Sequence, residues 1–86
     1  MPDWHATLAQ VVSGRSDANV RFTDLCHMLI ALGFKERIEG SHHNFKRSGV
    51  IERINLQREG NQAKVYQVRQ VRKVLLKYGL GDVEDD

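Results

Sequence analysis

At Gly33 the spacing of apolar residues changes period, and that change decides the fold class. Before it, apolar side chains recur as they do on one face of a helix. After it they alternate, as on a strand with one buried face. Upstream, Trp4, Leu8, Val11 and Val12 share one helical face, with Asp3 placed to cap the helix and Gly14 to end it. Residues 15–22 read as a connector. A second helix follows, capped by Thr23 or Asp24, with Leu25, Met28, Leu29 and Leu32 as its stripe and Gly33 as its stop. Cys26 and Ile30 widen that stripe, so this helix is expected to pack against two neighbours.

Downstream of Gly33, residues 34–39, 41–47 and 50–56 read as strands, with Gly40 and Ser48-Gly49 at the connections. Connections this short force antiparallel neighbours and hence a meander. Phe34 and Ile38 share one face of the first strand; Val50, Ile54 and Leu56 line one face of the third. Residues 57–64 read as a polar loop. A last helix over about 66–78 turns Val68, Val71, Val74, Leu75 and Tyr78 inward. The order α-α-β-β-β-α predicts an α+β fold, a three-stranded antiparallel sheet with helices packed on one face.

Size and composition set the outer limits. With 86 residues the chain has room for one core, expected over residues 1–80 with the extra helix at about 3–14. Apolar content of 41% and charged content of 28% argue against global disorder. The longest apolar run, residues 28–32, is too short for a membrane span, and no secretory leader is expected. One cysteine, Cys26, allows no internal disulfide and favours a reducing, cytoplasmic setting. It reads as a small buried hydrophobe rather than a nucleophile.

The net charge of +2 averages two unlike pieces. Residues 35–77 hold eleven basic and four acidic side chains, a net +7, whereas four acids crowd into residues 82–86. A basic domain with an acidic, disordered tail (81–86) fits a polyanionic partner. On the last helix Arg69, Arg72, Lys73 and Lys77 form a basic stripe, suited either to RNA phosphates or to an acidic protein partner.

The most specific segment is Gly40-Ser41-His42-His43-Asn44-Phe45. Phe45 belongs to the core, so Ser41 and His43 share its side, and His42, Asn44 and Lys46 project from the other. A neutral histidine on an open basic surface is suited to taking the proton of an RNA 2′-hydroxyl. The deprotonated oxygen then attacks the adjacent phosphorus without metal or bound water, and a nearby cation steadies the phosphate. Lys46, Lys64 and Arg47 are candidates for that cation, with Ser41 and Asn44 as further RNA contacts. Adjacent His42 and His43 diverge on a strand, and no Cys cluster completes a tetrahedral set, so neither metal nor cofactor is expected.

At these residues the chain strongly resembles the HicA family of bacterial toxins from type II toxin–antitoxin systems. The likeness runs through Phe22-Thr23-Asp24-Leu25, Leu32-Gly33-Phe34, Gly40-Ser41-His42-His43-Asn44-Phe45, Ile54-Asn55-Leu56-Gln57 and Ala63-Lys64-Val65-Tyr66-Gln67-Val68-Arg69-Gln70-Val71. It covers roughly residues 19–80 and is similar to the longer subgroup with an extra N-terminal helix. The resemblance implies a fold like that of a double-stranded-RNA-binding domain and a ribosome-independent messenger-RNA interferase. It implies His42 as the catalytic histidine, His43 in a supporting place, and a HicB-like antitoxin as partner. Many members carry proline where Val65 stands. Two other readings of the same residues are a non-catalytic RNA-binding domain and a protein-interaction module docking through the last helix. A steep salt dependence of RNA binding separates the last from the others.

Overall fold

Asp3 sets the first helix. Its carboxylate accepts the His5 N–H at 3.0 Å, and the helix α1 (Trp4–Ser13) closes on Gly14 at φ +70°. A computed structural model describes residues 3–81; the acidic stretch 82–86 lies outside the described residues. Leu8 and Val11 bury completely against the elements that follow.

A single 3₁₀ turn (Asp17–Asn19) leads to α2 (Phe22–Ala31). This helix starts one residue before the expected caps, and neither Thr23 nor Asp24 caps it: Arg21 is the N-cap, with no side-chain bond. Tertiary contact does the work instead, because Phe22 is fully buried and its N–H donates to the Asn61 carbonyl at 3.0 Å. Leu25, Met28 and Leu29 fill the core beneath, and Cys26 joins them. Ile30 does not. It is 46% exposed, on the margin facing the sheet edge rather than between two neighbours.

Three strands follow, β1 (Lys35–Glu39), β2 (His42–Lys46) and β3 (Ile54–Leu56), in the order β1-β2-β3 and antiparallel throughout. Glu39 pairs with His42, leaving Gly40-Ser41 as a two-residue turn with Gly40 at φ +61°. The inner face carries Phe45, Ile54 and Leu56, all buried under the helices. Ile38 shares that face by register but stays 57% exposed, since no helix reaches the turn end of β1.

The third strand is shorter than its alternation predicts. The chain from Ser48 to Arg53 leaves the sheet because the end of the last helix holds it. The Ile51 N–H donates to the Tyr78 hydroxyl at 3.2 Å, which donates to Glu52 at 2.6 Å. Residues 57–64 are not an open loop. They make a small hairpin, β4 (Arg58–Glu59) and β5 (Gln62–Ala63), whose Ala63 N–H donates to the Val20 carbonyl at 2.9 Å. The last helix, α3 (Val65–Lys77), buries Val68, Val71, Val74 and Leu75 and ends at Gly79, φ +66°. The molecule is therefore α+β, three helices over one face of a three-stranded antiparallel sheet, with a second two-stranded sheet beside it. No helix among the described residues is long and apolar enough to cross a membrane.

Candidate nucleic-acid interface on the outer face of the sheet

Alternation on β1 and β2 fills the uncovered face with polar groups. Opposed pairs are Lys35 with Lys46, Arg37 with Asn44, and Glu39 with His42; Asn44 in turn faces Asn55 on β3. Arg53 lines the same shallow depression as Lys35, Arg37, Glu39, Asn44 and Lys46. Glu36 also lines it, so four cations stand against two carboxylates, and the exposed Arg37 guanidinium lies 3.9 Å from Glu39. Lys35 and Lys46 sit directly opposite each other, an arrangement that destabilises a bare sheet and that an anion relieves.

His42 is exposed at the turn end of this face. Its Nδ1 lies 3.2 Å from the Asn55 Oδ1. When Nδ1–H donates to that amide oxygen, Nε2 keeps its lone pair, the form a proton acceptor needs. Asn55 is a site residue that the sequence reading did not single out. Its signal was one polar residue between two buried apolar ones, Ile54 and Leu56, on a strand. Arg37 was missed likewise. It stands diagonally across the ladder from His42, a separation of about 7–8 Å between backbones that a long side chain spans.

The other expected residues scatter. The Ser41 hydroxyl accepts the Gln57 side-chain amide at 3.2 Å, tying the turn to the strand margin. The Asn44 amide donates to Glu39 at 3.4 Å, next to His42. Lys46 is on the outer face as expected, but four strand positions from His42 amount to about 13 Å, too far to share one phosphate. Arg47 lies past the end of β2 against Gly33, where an added Cβ would come within 3.1 Å of its Nε. Lys64 is half-buried at the start of α3, beside Glu59, Tyr66 and Arg69, and no hydrogen bond or ion pair among the described residues joins it to His42.

The basic stripe on α3 is mostly spent inside the molecule. Arg72 makes a forked contact with Asp17, 2.8 and 3.2 Å, and donates to the Val11 carbonyl at 3.1 Å. Arg69 lies 3.6 Å from the same carboxylate, and Lys77 is 2.7 Å from Glu52. Of the four cations, only Lys73 lacks a carboxylate within 4.0 Å among the described residues. The Arg72 hydrogen bond holds the Asp17 carboxyl below its ordinary range. Those from Lys77 and then Tyr78 bring Glu52 to about 2.

His43 points the other way, as alternation requires. Its Nδ1 is 2.9 Å from a Glu36 carboxylate oxygen, and its ring meets Phe22 edge-on at 4.8 Å. It has no part in the outer face.

No protein-family profile matches the chain, and searches of curated proteins and of solved structures return no significant match.

Proposed function

We propose that the chain is a metal-independent endoribonuclease that cuts messenger RNA, with His42 as general base. The supporting observation is His42 itself, open on a basic face with Nδ1 engaged by Asn55 and Nε2 free. Nε2 takes the proton of a 2′-hydroxyl. The 2′-oxygen forms a bond to the adjacent phosphorus, and the bond from phosphorus to the 5′-oxygen breaks. The products are a 2′,3′-cyclic phosphate and a 5′-hydroxyl, the latter protonated by the imidazolium or by water. Arg37 is the cation placed to meet charge on that phosphate, while Lys35, Lys46 and Arg53 hold the strand farther along. In keeping with the resemblance to HicA toxins, the biological setting is a bacterial cytoplasm, with a HicB-like antitoxin covering the outer face.

The test is cleavage of an unstructured RNA in EDTA by wild type and by His42→Ala. The variant should lose 10²-fold or more in rate, the usual worth of a positioned base. Intact RNA with wild type, or equal cutting by both proteins, refutes the proposal. A second reading, an RNA-binding domain without catalysis, is favoured by one observation. Among the described residues no second titratable group hydrogen-bonds His42 to protonate the leaving oxygen. Under it both proteins bind RNA with a steep salt dependence and neither cuts.

A further inference from the structure

On the opposite side of the sheet, three elements converge on one small cluster. Cys26 from α2, Glu36 from β1 and His43 from β2 bring sulfur, carboxylate oxygen and ring nitrogen all within 4.8 Å of one another. No pair of these residues is close in sequence, which is why spacing alone gave no sign of it. The cluster floors a groove rimmed by Phe22, His27, Ile30, Ile38 and Arg58.

Tetrahedral zinc with one sulfur, one nitrogen and one oxygen ligand needs donor atoms about 3.3–3.7 Å apart, from bond lengths of about 2.0–2.3 Å. The observed spacing, at most 4.8 Å, lies about an ångström outside that range. The charge balances: a thiolate and a carboxylate neutralise a divalent ion, so the half-buried centre carries no net charge. A way in exists, because the side chains of Glu36 and His43 are each 22% exposed, although Cys26 is buried. We infer that Cys26, Glu36 and His43 form a binding site for zinc, separate from His42 and on the other face of the sheet.

On binding, the Cys26 S–H proton leaves to solvent as the sulfur–zinc bond forms. His43 exchanges its contact with Glu36 for a bond to the ion, and Glu36 turns one oxygen to it. The fourth position is open to water or to His27, the neighbour of Cys26 on α2. Arg58, over the Phe22 ring at 5.1 Å, is the one opposing charge along the groove rim. A bound ion would pin α2 to β1 and β2 at the end where Ile30 and Ile38 are left uncovered.

The experiment is titration of the metal-free protein with Zn²⁺ and with Co²⁺, followed by calorimetry, thermal melting and near-ultraviolet absorption. One ion per chain, a raised melting temperature with Zn²⁺ and a sulfur-to-cobalt charge-transfer band are expected. Cys26→Ser should abolish the band, and both Cys26→Ser and His43→Gln should weaken binding about 10-fold or more. His42→Ala and His5→Gln should bind as wild type. Absence of stoichiometric binding, binding without the charge-transfer band, or loss of binding in His5→Gln instead would overturn the site. The band is read on wild-type protein, so the proposal stays testable even if a variant fails to fold.

Discussion

Asn55 shows how much a single amide can decide. An aspartate there would add a negative charge to the basic face. The neutral amide orients the ring while leaving the face positive. Asn55→Ala should leave RNA binding nearly unchanged and lower the turnover rate about 10-fold, well short of losing the base itself. Single-turnover cleavage beside a filter-binding measurement on uncleavable 2′-deoxy RNA separates the two effects; a fall in binding with turnover intact contradicts this role. His42, Asn44 and Lys46 could be placed on the outer face from the parity of Phe45 alone, because a strand allows only two directions. Arg37 and Asn55 could not be assigned to the site, since their nearness to His42 depends on strand register, which adjacent residues do not encode.

At the scale of elements, α3 carries the largest revision. A helix wheel shows four cations on its surface, but charge alone does not tell which of them meet a carboxylate after folding. Arg72 does, and its fork to Asp17 with the Val11 carbonyl joins α3, the 3₁₀ turn and α1. Arg72→Ala should cost about 2 kcal/mol, as loss of charged hydrogen bonds in a half-buried place. Arg72→Lys should recover only part, since an ammonium cannot make the fork. Urea midpoints measure both, and an alanine variant as stable as wild type would show the contact to be idle. The three helices, the β1–β2 hairpin and the inward residues of α3 were legible because each repeats its period over two turns or several alternations. β3 was overextended, as the Tyr78 and Lys77 contacts that draw residues 51–52 away come from a distant element. The β4–β5 hairpin escaped notice because two-residue strands are too short to alternate.

For the molecule as a whole, the ion pairs of Glu52 and Asp17 give folding a component that responds to acid. Glu52 ionises at about 2 in the folded chain against an ordinary 4.5, and Asp17 is likewise held below its ordinary 3.8. Between those values the unfolded chain binds protons that the folded chain refuses. The stability that these two pairs contribute is therefore complete above about 4.5 and falls as the pH drops toward 2. Urea midpoints across that range should decline for wild type and decline less for Glu52→Gln; parallel slopes would place the acid sensitivity elsewhere. The ion pairs also engage Arg69, Arg72 and Lys77 of the α3 stripe, so under the proposed function the uncovered side of the sheet is where RNA would land.

The first helix bears on how such a protein is degraded. Leu8 and Val11 are wholly enclosed, and the Val11 carbonyl is a ligand of Arg72. A protease that cut in the turn after α1 would not release a trimmed but still folded domain. It would strip the cover from α2 and α3 and surrender the remainder to complete digestion, so loss of the first fourteen residues and loss of the whole protein are one event.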